Sequence, residues 1–141
     1  MKEKGVSLLE AVVVLAIAGV LLTGLSLSLH GFSPKYKLLS AVWEVQSGLN
    51  MARFKAIFKG MNIRMSFKGS GYLMETYDAA AKTWRRDTER FLGGVDVDAN
   101  NAPTFHGSGA VSNFASIYIS NSWGKFKITV AISGRVKTIK L

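Results

Sequence analysis

One carboxylate set into an otherwise apolar run constrains this chain more than any other feature. After Glu10 no Asp, Glu, Lys or Arg appears until Lys35, and residues 11–29 carry no charge at all. At ~1.5 Å rise per residue, ~20 apolar residues in a helix cross the hydrocarbon core of a bilayer. Residues 6–30 are therefore expected to form a membrane-spanning helix. Lys2 and Lys4 precede the run, which predicts a cytoplasmic N-terminus and a periplasmic or exterior remainder. A secretory signal places its apolar stretch before the cleavage site. Here the small residue that a peptidase would want, Gly5, comes before the stretch. Cutting after Gly5 keeps the apolar helix in the mature chain and exposes a new amine on Val6.

A carboxylate near the membrane core costs roughly 2.5–3.5 kcal/mol on insertion scales and is a functional candidate by default. Either Glu10 lies close enough to the headgroups to be tolerated, or it meets a cationic partner once the helix leaves the lipid. Lys4-Gly5-Val6-Ser7-Leu8-Leu9-Glu10, followed by the unbroken Ala-Val-Val-Val-Leu-Ala-Ile-Ala-Gly, resembles the class III leader of type IV prepilins and type II secretion pseudopilins. The resemblance implies cleavage after Gly5 by a prepilin peptidase and N-methylation of Val6. It also implies that Glu10 pairs with the N-terminal amine of a neighbouring subunit in a filament. Removing one partner of a buried pair costs roughly 3–5 kcal/mol, so Glu10→Ala is expected to impair assembly more than folding. Gly19 and Gly24 each weaken the helix by about 1 kcal/mol relative to Ala. With Thr23, Ser26 and Ser28 they make a small, soft stretch. It suits close approach of membrane helices or, as in related pili, local unwinding. Major pilins carry a proline in mid-segment; position 27 here is Leu27.

Past the apolar segment about 107 residues remain, enough for a single small core. With no cysteine in the chain, disulfide frameworks, thiol catalysis and Cys-based zinc sites are excluded. The formal charge is +9, and residues 35–141 carry all of it, with 16 basic and 7 acidic groups. Such a domain suits anionic polymers, lipid headgroups or an acidic protein partner.

Gly31, Ser33 and Pro34 predict a break or bend. From Lys35 to Lys59 the pattern is helical: Leu38, Val42, Val45, Leu49, Ala52 and Ala56 recur at spacings of four and three. Leu39, Trp43 and Phe54 are expected to widen this stripe, and the face is expected to pack on a sheet. Gly60 is a natural stop. Beyond it, short strands are predicted at Ile63–Lys68, Tyr72–Tyr77, Lys82–Arg86, Gly94–Val97, Ser116–Ser120, Phe126–Ile132 and Arg135–Lys140. Turns are predicted at Gly69-Ser70-Gly71, Asp78–Ala81 and Ser133-Gly134.

Several elements in order resemble the GspH/FimT type of minor pseudopilin or minor pilin. They are Ala52-Arg53-Phe54-Lys55-Ala56 at the helix end, Trp84 near mid-chain, Phe105 to Gly109, and Ser133-Gly134-Arg135-Val136-Lys137 near the C-terminus. The resemblance implies an α+β fold: a long N-terminal helix, half membrane-spanning and half amphipathic, packed on a small antiparallel β-sandwich-like domain. The expected organisation is a leader over 1–5, a transmembrane and filament-core helix over 6–30, its amphipathic continuation over 31–60, and a β-rich domain over 61–141.

Little else carries chemistry. His30 and His106 lie far apart in sequence with no ligand or triad spacing, and read as solvated or structural. Asp96 and Asp98 share a strand face, either as solvated carboxylates or as calcium ligands. Gly69-x-Gly71 and Gly107-x-Gly109 lack a P-loop or dinucleotide context and read as turns. No enzyme and no cofactor is expected. The C-terminal hairpin is the exception. Arg135 and Lys137 are expected on one strand face beside Gly134, with Lys125 and Lys127 on the preceding strand and Lys140 further on. Such a cluster neutralises phosphates, or guards an edge strand against unwanted pairing. FimT-like minor pilins bind DNA through a Gly-Arg-x-Arg element, which Gly134-Arg135-Val136-Lys137 resembles.

The expected function is that of a minor pilin or pseudopilin, anchored in the bacterial inner membrane, that helps initiate or cap a filament. Its expected partners are other pilin-type subunits, a prepilin peptidase and the inner membrane. The alternative is a minor pilin that binds DNA for uptake.

Overall fold

The computed structural model describes residues 7–141, with the side chains of 7–21 and 34–141. Gly5 and Val6 lie outside the described residues, as do the side chains of Thr23, Ser26, Leu27, Ser28 and His30. The chain divides into two compact units, Met1–Ser33 and Pro34–Leu141.

Helix α1 covers Leu8–Lys59 with Pro34 inside it, so the expected break at Gly31–Pro34 is not a helix end. Proline removes one helical hydrogen bond, but its fixed φ near −65° is already helical. In the first unit the described residues of α1 are apolar on every side except at Glu10, and their large side chains are exposed, Leu8 by 83% and Leu15 by 72%. Among the described residues no helix is long and apolar enough to cross a membrane. The expected span continues into residues 22–30, whose side chains are outside those described.

In the second unit one stripe of α1 is fully buried: Leu38, Ala41, Val42, Val45, Leu49, Ala52 and Ala56. Successive helical residues turn by ~100°, which places these on one side. The same geometry puts Trp43 and Phe54 on the opposite side, where they are 75% and 63% exposed. They do not widen the core stripe as expected. Gly60 ends the helix at φ 64°. Beyond it the Met61 N–H returns to the Ala56 carbonyl at 3.2 Å, closing a left-handed glycine cap.

Nine strands follow: β1 Ile63–Lys68, β2 Gly71–Asp78, β3 Thr83–Phe91, β4 Asp96–Ala99, β5 Thr104–Phe105, β6 Val111–Ser112, β7 Ala115–Asn121, β8 Gly124–Val130 and β9 Val136–Lys140. They form two antiparallel sheets, ordered β3-β2-β1-β5-β6 and β4-β7-β8-β9. Alternation explains the strong strands. In β1, Ile63 and Met65 are buried between less buried Arg64 and Ser66, and in β2 Tyr72, Met74 and Thr76 turn inward. Strand β3 runs past the expected Arg86 to Phe91, and its pairing with β2 shifts register between Met74 and Glu75. The bulge breaks the alternation that a sequence pattern relies on. The inward residues of both sheets join the buried stripe of α1 in one cluster, with Phe105, Ile117, Ile119, Ile128 and Val130 wholly enclosed. The fold is α+β, a helix packed on antiparallel sheets.

Candidate functional site

Three surfaces of this fold carry the residues singled out above. The first is Glu10, in the opening turn of α1 and exposed there among exposed Leu8, Leu9, Val13 and Val14. Such an apolar helix is unfavourable in water, and its one carboxylate, costly in lipid, is stabilised by a cationic partner. Its stable surroundings are lipid or other apolar helices.

The second surface is the outward side of α1 in the second unit. Trp43, Met51, Phe54 and Phe58 recur along it, and the Phe54 and Phe58 rings stack at 5.8 Å between centroids. This stripe lies opposite the buried one, so α1 is apolar on two sides.

The third is the C-terminal hairpin. Opposed residues in antiparallel strands share a face. Ser120 faces Lys125, Tyr118 faces Lys127, and Thr129 faces Lys137. With Ile117, Ile119, Ile128 and Val130 filling the core side, Lys125, Lys127 and Lys137 emerge together on the outer face. The ammonium groups of Lys125 and Lys127 lie 4.8 and 5.6 Å from the centre of the Tyr118 ring. Arg135 does not join that strand face, because β9 begins at Val136. It belongs to the turn, where its carbonyl accepts the Ala131 N–H at 3.0 Å.

Gly134 is buried rather than displayed. Its N–H bonds the Ala131 carbonyl at 2.9 Å and its φ is 77°, so Ile132, Ser133 and Gly134 make a three-residue hairpin loop closed by a left-handed glycine. Arg53 of α1 holds this loop. Its Nη1 donates to the Gly134 carbonyl at 3.2 Å and its Nη2 to the Ser133 carbonyl at 3.1 Å. The two short motifs at opposite ends of the domain thus meet: the arginine of Ala52-Arg53-x-x-Ala56 clamps the loop of Ser133-Gly134-Arg135.

One cluster was missed from the sequence. Trp123, in the turn between β7 and β8, lies under the ammonium groups of Lys140 at 4.2 Å and Lys35 at 5.6 Å. Lys35 and Lys140 are 105 positions apart at the extremes of the domain, and no periodicity links them. The only available signal was a tryptophan in an Asn-Ser-Trp-Gly turn.

His106 is structural. Its Nδ1 lies 2.9 Å from Asn62 Oδ1 and its Nε2 lies 2.8 Å from Ser112 Oγ, so both ring nitrogens are engaged. Asp96 and Asp98 face Ser120 and Tyr118 on the outer side of the second sheet. Among the described residues no three His, Cys, Asp or Glu side chains group as metal ligands do.

A family profile described as the prokaryotic N-terminal methylation motif matches residues 1–26. Comparison with curated proteins finds no matching sequence. Among solved structures, the chain is similar to the minor pseudopilin EpsH of the Vibrio cholerae type 2 secretion system, at TM-score 0.60 and 16% identity, over 72% of this chain and 94% of that one. It is also similar to the Pseudomonas aeruginosa type IV minor pilin FimU, at TM-score 0.62 and 16% identity, over 77% and 92% of the two chains. At such identity the likeness is one of fold. The chain thus joins an N-terminal methylation motif to a pilin-like fold. The motif implies processing by a prepilin peptidase and assembly with other pilins.

Proposed function

We propose that this chain is a minor pilin or pseudopilin of a type II secretion or type IV pilus system, anchored in the bacterial inner membrane through residues 6–30. It helps initiate or cap a filament that it enters through α1. The observation that carries this reading is the exposed stripe of Trp43, Met51, Phe54 and Phe58 opposite the core side of α1. An aromatic side chain hides roughly 150–250 Å² when covered, worth about 25 cal/mol for each Å². A bundle of like helices covers such a stripe. In this reading the leader is removed after Gly5, Val6 is methylated, and Glu10 compensates the amine of a neighbour. The head domain over 61–141, with the amphipathic helix over 31–60, stays outside and makes the specific contacts.

The test is recovery of the full chain in filaments sheared from cells that supply the cognate pilins. Wild-type protein is expected there, with a mass lacking residues 1–5 and carrying one extra methyl group. Phe54→Glu and Glu10→Ala are expected to lower its recovery about tenfold or more. Phe54 contributes nothing to the core, so Phe54→Glu leaves the fold intact. Wild-type recovery of the Phe54→Glu variant would rule out entry through α1.

A second reading, DNA binding for uptake, has one specific observation in its favour: Lys125, Lys127 and Lys137 share one outer face, the first two over the Tyr118 ring. Phosphate neutralisation by this face predicts duplex binding that weakens steeply with salt. Titration of the detergent-solubilised full chain, beside Lys125→Ala/Lys127→Ala/Lys137→Ala, decides it. Binding indifferent to the triple change removes this reading.

A further inference from the structure

We propose that the end of the head domain formed by Lys35, Trp123 and Lys140 docks on an anionic bilayer surface while the subunit is still anchored. The proposal rests on the anchored reading of residues 6–30.

Position is the first argument. Lys35 is the first charged residue after the apolar run. Five helical residues past residue 30 amount to about 8 Å, close to the depth of one headgroup layer outside the hydrocarbon core. A cation there sits among lipid phosphates.

The second argument is a tether. Asn121 Nδ2 donates to the Pro34 carbonyl at 2.7 Å, and Asn121 Oδ1 accepts the Trp123 N–H at 2.9 Å. The turn that carries Trp123 is therefore tied to the residue just before Lys35. Lys140 reaches the same ring from the end of β9, where the Leu141 N–H bonds the Lys125 carbonyl at 2.9 Å. Chain segments far apart in sequence are thus brought to one spot.

The third argument is unneutralised charge. Lys35 and Lys140 converge on one indole, yet among the described residues neither forms an ion pair. The two pairs found are Lys55–Asp87 and Arg64–Glu75. Lys37 adds to the same end, its stem lying over Gly94, whose carbonyl is 3.5 Å from Asn121 Nδ2. Asp96 lies on β4 opposite Ser120, and Glu44 lines the same groove as Lys37; two carboxylates do not offset Lys35, Lys37, Lys125 and Lys140. An indole has an apolar body and a polar edge and suits the headgroup layer, while lysine stems reach outward to phosphate. Anionic lipids attract each such lysine, within a Debye length. A nucleic acid would instead meet the flat outer face of Lys125, Lys127 and Lys137. The Lys35 end lies where the chain leaves its apolar run, and headgroups reach it first.

The experiment uses the full wild-type chain in nanodiscs of phosphatidylcholine alone or mixed with phosphatidylglycerol. Acetylation of each lysine is followed by mass spectrometry, with Lys82 in the β2–β3 turn as internal standard. Phosphatidylglycerol is expected to slow Lys35 and Lys140 about threefold or more relative to Lys82, and ~0.5 M salt is expected to relieve the protection. Equal rates in both kinds of disc, with the chain co-eluting with the disc, would overturn the docking and leave the anchor standing. A chain that does not co-elute would overturn the anchor and the docking with it. Equal protection by inorganic phosphate or duplex DNA over neutral discs would overturn the assignment to lipid. As a second readout, a Trp43→Phe/Trp84→Phe chain leaves Trp123 as its sole indole. Its iodide quenching is expected to fall only in the anionic discs; unchanged quenching there would count against docking.

Discussion

Arg64 on the five-stranded sheet and Lys125, Lys127 and Lys140 on the four-stranded sheet hold their positive charge in opposite ways. On the five-stranded sheet, Arg64 grips Glu75 through Nε at 3.0 Å and Nη2 at 2.8 Å, and its guanidinium lies over the Trp84 ring at 4.3 Å. Trp84 in turn meets Tyr77 edge-on at 5.2 Å. At the bulge of β3, Asp87 accepts the Thr76 hydroxyl at 2.9 Å and faces Lys55 at 3.9 Å. On the four-stranded sheet the cations also lie over aromatic rings, Lys125 and Lys127 over Tyr118 and Lys140 over Trp123. Among the described residues none of these three has a carboxylate partner. A ring holds an ammonium in place through its quadrupole without cancelling its charge. The charge of Arg64 is consumed as internal structure, whereas Lys125, Lys127 and Lys140 keep theirs for outside contact.

The largest expected effect comes from breaking the hairpin that supports the second sheet. A Cβ at position 134 would lie 2.6 Å from the Gly109 carbonyl oxygen and 2.7 Å from Arg53 Nε, on a residue with φ 77°. A left-handed conformation costs an L-residue about 1–2 kcal/mol, and overfilling a tight site a further ~1–3 kcal/mol. Gly134→Ala is expected to lower unfolding free energy by about 2–4 kcal/mol in denaturant titration. A loss below about 0.5 kcal/mol would mean that Arg53 and the loop do not hold β8 to β9.

The comparison itself can be tested at matched positions. Glu75→Ala leaves Arg64, about one-third exposed, without its carboxylate, and is expected to cost about 1–2 kcal/mol after allowance for solvent screening. Lys127→Ala removes a cation that no acid needs and relieves repulsion from Lys125. It is expected to change stability by less than about 0.5 kcal/mol. Equal losses in the two variants would erase the distinction between the sheets.

What was legible in the sequence followed from periodicity and local turn chemistry. The buried stripe of α1, the alternation in β1, β2 and β8, and the glycine stop at Gly60 all depend on neighbours within a few residues. Trp43 and Phe54 were assigned to the core because they are large and apolar. Their angular position on the helix contradicts that, and an assembling subunit has a use for apolar side chains outside its core. The bulge at Asp87 hid half of β3. Two-residue strands such as β5 and β6 are too short for any pattern. Of the candidate contact residues, Lys125 and Lys127 are legible as an alternating pair, while Lys137 is grouped by pattern with Arg135, which lies in the turn instead. Gly134 was picked out for surface contact, and its buried role depends on Arg53, 81 positions away. The cluster at Trp123 depends on three segments that only the tertiary fold unites.

The smallest expected effect concerns Tyr72, on the inner side of β2. Burial pushes its phenol above the usual value of 10.0, Glu44 adds to the rise, and Arg90, directly opposite across β2 and β3, works against it. The folded chain therefore keeps this proton at pH values where the unfolded chain has begun to lose it. The resulting contribution to stability is fully present below pH 10 and is lost as pH rises through the folded value. Denaturation midpoints of wild type and Tyr72→Phe measured upward from pH 8 are expected to separate above pH 10, with the wild type falling faster. Because burial outweighs Glu44 as the cause, Glu44→Gln is expected to retain most of the extra slope. Parallel curves for wild type and Tyr72→Phe would mean that water reaches the phenol, and that the inner side of the five-stranded sheet is less closed against α1 than the burial of Tyr72 suggests.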